Sequence, residues 1–323
     1  MSYRIGIDLG GTNIAGGIVN ENYQIVAKAS VPTGVGERTA EGIGDAIAEL
    51  CRTLAEKVGV TLFDIGAVGI ASPGIADHDR GVVVYSCNLP FRDFAIADLV
   101  SRKTGVANVH VENDANAAAW GEAVAGAAKG TKNSVMITLG TGVGGGVIID
   151  GKVFSGFNFA GTELGHVVIE QGGALCGCGR HGCWEAYSSA TGLIRMTREK
   201  MEACKKAGRA TLLEKVAAEE GKVSGKTAFV AMRQGDAAAR EVVDVYARYL
   251  ATGLTNMVNI FQPEVLSIGG GISGEKQGLL DLVVPQIHAE QYGSGHVVPT
   301  RICIAELGND AGIIGAAFLG ISL

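Results

Sequence analysis

Two similar glycine-rich segments, one in each half of the chain, constrain its possible folds most strongly. Residues 4–19 read RIGIDLGGTNIAGGIV, and residues 134–149 read SVMITLGTGVGGGVII. Each consists of a short run suited to a β-strand, a Gly/Thr turn and a second such run, which is typical of a hairpin. A third extended run follows each hairpin, YQIVAKASV in the first half and GKVFSG in the second. The repetition predicts two copies of a related hairpin-led unit, with the boundary between them near residues 115–130.

Helical patterns and short buried strands fill most of the remaining chain. In residues 39–58, apolar residues recur at helical spacing: Ile43, Ile47, Leu50 and Leu54. We predict further helices at 115–128, 187–206, 236–261 and 309–321, and strands at 65–71, 109–112 and 264–270. Helices that alternate with strands indicate an α/β fold. Residues 207–235 are polar and rich in glycine and lysine, so we predict surface helix and loop there.

Length, composition and charge exclude several classes of protein. The chain has 323 residues, enough for one large domain or two ordinary ones, and 47% of them are hydrophobic, enough for a substantial core. Its net charge of −6 argues against a nucleic-acid-binding surface, which needs positive charge to neutralise phosphates. The N-terminus has no secretory signal pattern, and no apolar run is long enough to span a bilayer. We therefore expect a cytoplasmic protein with no nucleic-acid or membrane partner.

The second glycine-rich turn matches the dinucleotide-binding pattern G-x-G-x-x-G, from Gly140 to Gly145. That pattern binds a dinucleotide when the turn opens a helix and an acidic residue follows on the next strand. Here the strand-like segment GGVIIDGKVF follows instead. Neither turn has the G-x-x-x-x-G-K-[ST] pattern of a P-loop. We therefore do not expect a nicotinamide, flavin or P-loop nucleotide site.

Both glycine-rich turns are suited to binding phosphate groups from two sides. Backbone N–H groups that point into such a turn can bind a polyphosphate, and glycine lets it approach closely. Asp8, just before the first turn, is suited to a hydrated Mg²⁺, although a turn residue at a strand end is the alternative. A third cluster, SIGGGISG, either covers a nucleotide base and ribose or forms a tight strand-to-helix turn. The predicted nucleotide and Mg²⁺ contacts are Asp8, Gly10, Gly11, Thr12, Asn13, Gly140, Thr141, Gly142, Gly270 and Gly271.

Three of the seven cysteines, Cys176, Cys178 and Cys183, form the pattern C-x-C-x₄-C. An odd number of cysteines in an intracellular chain is a poor fit to a disulfide framework. Three thiolates on one short loop, together with a fourth ligand, would complete a closed tetrahedral Zn²⁺ site. The fourth ligand could be His166 or His181. The remaining cysteines are scattered, and we expect them to be small buried residues: Cys51, Cys87, Cys204 and Cys303.

The segment ENDANAAAW lies where the strand at 109–112 ends and an alanine-rich helix begins. Asn113 and Asp114 are suited to capping that helix, because a side-chain oxygen can accept a free N–H of its first turn. One cap needs only one such residue, whereas four polar residues crowd together here: Glu112, Asn113, Asp114 and Asn116. The alternative is a catalytic carboxylate that accepts a hydroxyl proton during phosphoryl transfer. The residues alone leave both interpretations of Asp114 open.

Taken together, the motifs resemble the ROK family of sugar kinases and related repressors. The matching segments are GIDLGGTNIAGGIV, ENDANAAAWGE, TLGTGVGGGVI, ELGH, CGCGRHGCWE and SIGGGIS, and the resemblance continues to LGNDAGIIGAAFLG near the C-terminus. It implies an α/β fold of the duplicated actin-like ATPase (ribonuclease H-like) type, with two domains around a cleft. The implied domains are residues 1–116, on which a C-terminal helix at about 309–321 packs back, and residues 117–308, which contain the zinc loop.

The resemblance also implies roles for the polar residues of these motifs. Asp114 corresponds to the family's general base, which accepts the hydroxyl proton as oxygen attacks the γ-phosphoryl group. The histidine after ELG, His166, corresponds to the fourth zinc ligand, and its other ring nitrogen would meet the sugar. The loops SPG and NLP line the sugar side in the family, although Gly74 and Asn88 within them could be ordinary turn residues. The implied sugar contacts are Gly74, Asn88, Asn113, Asp114, Glu163, His166 and Glu185.

A kinase of this family would transfer the γ-phosphoryl group of ATP to a hexose, with Mg²⁺ as cofactor and Zn²⁺ in a structural role. The resemblance is strongest to the bacterial glucokinases, which makes conversion of glucose to glucose 6-phosphate the first choice. N-acetylmannosamine, N-acetylglucosamine, allose and fructose are alternative substrates. A non-catalytic sugar-responsive regulator is the rival class; family repressors carry a helix-turn-helix domain before the DLGGT hairpin, which begins here at Ile5, so we expect a kinase. Family membership also implies a homodimer or a higher oligomer.

Overall fold

The computed structural model describes residues 3–323 of the protein, which form an α/β fold as predicted. Its strands are β1 (Tyr3–Leu9), β2 (Asn13–Val19), β3 (Ile25–Pro32), β4 (Ile65–Ser72), β5 (Ile75–Asp77), β6 (Val82–Tyr85), β7 (Arg92–Phe94), β8 (Val109–Asn113), β9 (Ser134–Leu139), β10 (Val143–Ile149), β11 (Lys152–Val153), β12 (Val265–Gly269) and β13 (Arg301–Ile304). Its α-helices are α1 (Ala40–Lys57), α2 (Ile96–Thr104), α3 (Asp114–Ala125), α4 (Glu185–Ser188), α5 (Ala190–Lys206), α6 (Leu213–Glu219), α7 (Thr227–Arg233), α8 (Ala237–Phe261), α9 (Gln277–Glu290) and α10 (Ala311–Ala317).

The first five-stranded sheet has the order β3-β2-β1-β4-β8. Strand β1 is antiparallel to β2 and parallel to β4, and β4 is parallel to β8. The register places Asp8 of β1 beside Ala71 of β4, and Ala71 beside Glu112 of β8. Because the carboxyl ends of parallel strands meet at one edge of a sheet, the first glycine-rich turn and the segment ENDANAAAW lie at the same edge.

The second glycine-rich hairpin repeats the arrangement of the first. The second five-stranded sheet has the order β11-β10-β9-β12-β13, so each sheet contains a hairpin, a third strand beside it and two later strands on its other side. The third extended run after each hairpin is a strand, β3 or β11, as predicted. Strands β5, β6 and β7 form a small antiparallel sheet. The shared strand order confirms the duplication that the two sequence segments predict.

The described chain divides into two compact units. Unit 1 consists of residues 3–136, Gly146–Thr162 and Ala305–Leu323, and unit 2 consists of Ile137–Gly145 and Glu163–Ile304. This division assigns residues 117–136 to unit 1, whereas the sequence analysis assigned them to the second domain. The predicted domains, residues 1–116 and 117–308, stay a prediction, because compactness alone does not establish which parts fold independently.

Two apolar clusters hold unit 1 together. One is built from branched aliphatic side chains of the first sheet and its helices, including Ile5, Ile47 and Val68. The other joins α3 to the end of the chain, where the Trp120 indole N–H donates a hydrogen bond to the Phe318 carbonyl oxygen at 2.8 Å. The helix α10 is therefore part of unit 1, close to the strand ends that carry the predicted catalytic residues.

Helix prediction succeeded for four of the longer helices and missed others. The long helices α1, α3, α5 and α8 lie close to their predicted bounds, whereas α2 and α9 were not predicted. The helix predicted at 309–321 is shorter, Ala311–Ala317. Residues 207–235 contain α6 and α7 joined by loops, as predicted for surface helix and loop, and each helix buries one apolar face, with Leu213 and Phe229 fully buried. Within residues 3–323, no helix is both long and apolar enough to cross a bilayer.

The four scattered cysteines differ in exposure. Cys51 and Cys204 are buried as predicted, and Cys303 is half-buried. The predicted burial of Cys87 is wrong, since this residue is exposed. It lies in the turn between β6 and β7 and not on a helix or strand that packs against the core.

Candidate active site

Asp8 and Asp114 form an electrostatically coupled pair in unit 1. Asp8 is half-buried near the end of β1, and Asp114 begins α3 directly after β8. The pKa of Asp8 is raised to about 6, mainly by burial of the carboxyl group and secondly by the negative charge of Asp114. Among residues 3–323, no hydrogen-bond donor contacts the Asp8 carboxylate. A carboxylate that is short of donors and lies near a second carboxylate favours a bound cation, so the pair fits a hydrated Mg²⁺.

Asn113 caps α3, which leaves Asp114 available for another role. The Asn113 Oδ1 accepts the N–H of Ala115 at 2.9 Å and the N–H of Asn116 at 3.2 Å. Asp114 also accepts the Ala115 N–H, but its side chain is exposed to solvent at the helix start. Desolvation by the surrounding protein atoms nevertheless raises the pKa of Asp114 above its ordinary value. The hydrogen bond from the Ala115 N–H acts in the opposite direction and lowers that pKa in part. The cap interpretation therefore applies to Asn113.

Glu112 organises a buried network behind this pair, which the sequence analysis did not assign. Its Oε1 accepts the Asn113 N–H at 2.8 Å and the Asn116 amide N–H at 3.0 Å. Its Oε2 lies 2.9 Å from Nδ1 of His78, and this hydrogen bond is the largest cause of a raised His78 pKa. The crowding of polar residues in ENDANAAAW was the available signal: Glu112 and Asn116 fix the turn on which Asn113 and Asp114 lie.

Gly74 and Asn113 lie together in unit 1. The Asn113 amide N–H donates to the Gly74 carbonyl oxygen at 3.0 Å. Gly74 has a φ of +103°, and a Cβ at this position would lie 2.1 Å from the Tyr85 carbonyl oxygen, so only glycine fits. Asn88 lies on the exposed turn that follows Tyr85 and β6. Close packing of the backbone thus accounts for a glycine at position 74, whereas Asn88 is exposed to solvent.

The first glycine-rich turn is tight and is braced from behind. The Gly10 N–H donates to the Asn13 carbonyl oxygen at 2.9 Å. Thr33, a buried residue that the sequence analysis missed, donates its hydroxyl to the Gly10 carbonyl at 2.7 Å and its N–H to the Thr12 carbonyl at 2.8 Å. Gly11, Thr12 and Asn13 are exposed. The turn therefore presents its tip to solvent on a fixed backbone.

The second and third glycine-rich turns adjoin each other in unit 2. The Gly140 N–H donates to the Gly142 carbonyl at 3.0 Å, and the Gly140 carbonyl accepts the Ala190 N–H at 2.8 Å, at the start of α5. The Thr191 hydroxyl donates to the Thr141 carbonyl at 2.8 Å. The backbone of Gly270 packs directly against Leu139, the residue before Gly140, and Gly271 is exposed. Two glycine turns and the N-terminus of a long helix thus share one end of β9 and β12, which suits an anionic ligand.

His166 and the three clustered cysteines lie close enough together to hold one metal ion. Their ligand atoms all lie within 4.8 Å of one another. Nδ1 of His166 is 3.6 Å from Sγ of Cys176, and the Sγ atoms of Cys178 and Cys183 are 3.7 Å apart. A tetrahedral Zn²⁺ with ordinary bond lengths would need about 3.6 Å and about 3.8 Å for these edges. His181 lies outside the group, with its Nδ1 2.9 Å from the Gly173 carbonyl oxygen.

A short helical turn orients Glu163 relative to His166. The His166 N–H donates to the Glu163 carbonyl at 3.0 Å, which closes a 3₁₀ turn over Leu164–His166. Glu163 is the N-cap residue of this turn, so its backbone position is fixed relative to that of His166. The turn thus holds close together two residues that the sequence predicts as sugar contacts.

Glu185 lies between the metal-ligand cluster and the second glycine-rich turn. Its Oε2 accepts the Val143 N–H at 3.0 Å, and its Oε1 is 3.5 Å from Sγ of Cys176. The preceding residue, Trp184, is fully buried, and its indole N–H donates to the Tyr249 carbonyl at 3.1 Å. The start of α4 is thereby anchored, and the carboxylate of Glu185 contacts a turn that the sequence analysis assigned to a different substrate.

The predicted site residues thus form two groups, one in each unit. Unit 1 contains Asp8, Gly10, Gly11, Thr12, Asn13, Gly74, Asn88, Asn113 and Asp114. Unit 2 contains Gly140, Thr141, Gly142, Glu163, His166, Cys176, Cys178, Cys183, Glu185, Gly270 and Gly271.

Comparisons with known proteins identify the family of the chain. The model of the ROK family matches residues 4–322. The glucokinase of Streptomyces coelicolor is 37% identical over 319 residues, which cover 99% of this chain and 98% of that protein. The glucokinase of Thermotoga maritima is 38% identical over 322 residues, which cover 97% of this chain and 95% of that protein.

A solved structure extends the similarity to the fold. The ROK family glucokinase of Streptomyces griseus, crystallised with glucose and AMPPNP, is 37% identical and superimposes with a TM-score of 0.78. The match covers 98% of this chain and 99% of the Streptomyces griseus chain. The similarity confirms the predicted actin-like ATPase fold of two related halves. With a family match along almost its whole length and relatives above one-third identity, the chain belongs to the ROK family.

Proposed function

We propose that the protein is an ATP-dependent glucokinase that converts glucose to glucose 6-phosphate. The observation that carries this proposal is the pair of Asp8 and Asp114 at the carboxyl ends of β1 and β8, two parallel strands on either side of β4. A sugar kinase needs a base for the attacking hydroxyl and a carboxylate for the metal that accompanies ATP, and this pair provides one of each. The full-length similarity to glucokinases, one of them crystallised with glucose and AMPPNP, supports the choice of substrates.

In this proposal Asp114 is the general base. Its carboxylate accepts the proton of the glucose 6-hydroxyl while that oxygen attacks the γ-phosphorus of ATP, and the bond to the β-phosphate oxygen breaks to release ADP. Two features support the role: Asn113 caps α3, and the pKa of Asp114 is raised, which strengthens the carboxylate as a proton acceptor. A positioned general base contributes roughly 10²- to 10⁴-fold in rate.

The glycine-rich turns bind the nucleotide in this proposal. Residues 10–13 and 140–142 bind the phosphates, and Gly270 and Gly271 adjoin the base and ribose. The dipole of α5, which starts beside the second turn, supports phosphate binding there. Asp8 would hold a hydrated Mg²⁺, and the bound ion would neutralise the charge of the phosphates.

The residues predicted as sugar contacts supply polar groups suited to hydroxyls in this proposal. Carboxylates are strong acceptors for vicinal hydroxyls, which favours Glu163 and Glu185, and His166 offers its second ring nitrogen. The remaining sugar contacts are Gly74, Asn88 and Asn113. Zn²⁺ would be held by His166, Cys176, Cys178 and Cys183, in a structural role that fixes the loop carrying the sugar ligands.

We also propose that the protein is a cytoplasmic homodimer. Membership of a family whose kinases are often dimeric supports the association, and unit 2 exposes large apolar side chains such as Ile260, Tyr292 and Val298. Sedimentation velocity of the purified protein measures the assembly directly.

A coupled assay of ADP release across a panel of hexoses tests the function. Glucose should give the highest kcat/KM, and a preference for N-acetylmannosamine or another hexose would reassign the substrate. Asp114→Asn should lower kcat by about 10²- to 10⁴-fold and leave glucose binding intact by calorimetry. A variant that keeps more than about a tenth of the rate would show that Asp114 is not the base.

A further inference from the structure

The contact between Gly142 and Glu185 joins two residues that the sequence analysis assigned to different substrates. A Cβ added at Gly142 would lie 2.3 Å from Oε2 of Glu185 and 3.2 Å from its Cδ. The next residue in the turn, Val143, donates its N–H to the same Oε2 at 3.0 Å. The carboxylate therefore lies against the backbone of the turn, in space that any side chain at position 142 would occupy.

The backbone of Glu185 has little freedom to move away from this turn. Trp184, which precedes it, is fully buried and donates its backbone N–H to the Val167 carbonyl at 2.8 Å. The Glu185 carbonyl in turn accepts the Ser189 N–H at 3.2 Å. A methyl group at position 142 would thus displace the end of the Glu185 side chain and leave its backbone in place. Such a displacement costs little stability, because the end of a glutamate is flexible, but it breaks the hydrogen bond to Val143.

We propose that Gly142 is a positioning residue for the sugar, acting through Glu185. By leaving room for the carboxylate against the Val143 N–H, it lets the second glycine-rich turn fix the orientation of a sugar-binding acceptor. The proposal rests on the function proposed above, in which Glu185 binds a glucose hydroxyl. It implies that glucose affinity depends on the conformation of the nucleotide-binding turn, even when no nucleotide is bound, and that the two ligands are energetically coupled.

Gly140 provides a matched control in the same turn. A Cβ at Gly140 would meet no atom within 4 Å, and its backbone lies outside the left-handed region that favours glycine. Gly140→Ala therefore adds the same methyl group to the same turn without touching Glu185. We expect it to keep the glucose affinity of the wild type, whatever it does to the use of ATP.

The test is glucose binding to the full-length protein, measured by calorimetry without nucleotide. Gly142→Ala should weaken glucose binding by about 10-fold or more, toward the roughly 10- to 150-fold expected for loss of a charged hydrogen bond. Its thermal unfolding temperature should match that of Gly140→Ala, which shows that the loss is not a general loss of stability. In a Glu185→Ala background, Gly142→Ala should cause no further loss of glucose affinity, because the carboxylate that the methyl group would displace is absent.

The outcomes separate this inference from the proposed function. If the wild type and Glu185→Ala differ in glucose affinity but Gly142→Ala binds glucose as tightly as Gly140→Ala does, the inference is wrong and the function stands. The inference would also be overturned if the losses of glucose affinity caused by Gly142→Ala and Glu185→Ala were additive in the double variant. If the wild type does not bind glucose at all, both fail. The backbone amide resonance of Val143 gives a readout independent of sugar: Gly142→Ala should shift it toward its position in Glu185→Ala, and an unchanged resonance overturns the inference.

Discussion

Replacing Asp8 with asparagine should make the protein more stable while removing its use of Mg²⁺. The folded protein holds a proton on Asp8 up to a pH of about 6, whereas an ordinary aspartate has a pKa of about 3.9. The difference corresponds to about 3 kcal/mol at 1.36 kcal/mol per pH unit, and partial solvent contact makes this an upper value. Above pH 6 the folded state carries the full cost of the buried charge, and asparagine avoids it.

The sign of the effect depends on pH. Because the folded state binds this proton more tightly than the unfolded chain does, the Asp8 contribution lowers the free energy of unfolding as pH rises from about 4 to about 6. The free energy of unfolding of Asp8→Asn should therefore exceed that of the wild type by up to about 3 kcal/mol at pH 7.5, and this difference should shrink toward pH 4.

Urea-induced unfolding of the metal-free and nucleotide-free protein, from pH 4.5 to 7.5, measures this difference. Asp79→Asn is a suitable control, since Asp79 is an exposed carboxylate of the same unit, and it should change the free energy of unfolding by less than about 0.5 kcal/mol. An Asp8→Asn variant that is less stable than the wild type at pH 7.5, or whose advantage is the same at every pH, would refute the argument. Kinase activity should be lost in the same variant, because its side chain is a weak ligand for Mg²⁺.

Three further predictions concern the charges and the metal. Asp114→Asn should lower the pKa of Asp8 from about 6, because a neighbouring negative charge is removed, and a carboxyl NMR titration that shows no decrease would contradict the coupling. Elemental analysis should find one Zn²⁺ per chain in the protein and in His181→Ala, and less in His166→Ala; the reverse pattern would transfer the ligand role to His181. Glu163→Gln should raise the KM for glucose by about 10- to 150-fold with little change in the KM for ATP, and normal glucose binding by calorimetry would remove Glu163 from the sugar site.

Local sequence patterns were sufficient for the framework of the fold. The two glycine-rich hairpins, the third strand after each and the helices α1, α3, α5 and α8 follow from periodicity and turn residues within short windows of the chain. The duplication could be predicted because the same local pattern occurs twice and gives the same strand order in both sheets. The three cysteine ligands could be identified for a similar reason, since Cys176, Cys178 and Cys183 lie on one short loop.

Contacts between distant segments could not be predicted in this way. His166 and His181 are both near the cysteines in the chain, and only the path of the backbone brings the first of them within ligand distance. The residues alone left open whether Asp114 caps α3, and the structure gives the cap to Asn113. The exposure of Cys87 depends on which turn carries it and not on its residue type.

The sequence by itself determined the repeated framework and the residue types suited to phosphate, sugar and metal. Tertiary structure alone decided that the charge of Asp114 acts on Asp8, and that the carboxylate of Glu185 occupies the space beside Gly142. The physical reason is how far apart in the chain the interacting groups lie. Hydrogen bonding along a helix or hairpin depends on neighbours in the chain, whereas desolvation, charge coupling and steric contact depend on distances of a few ångströms between groups that folding brings together.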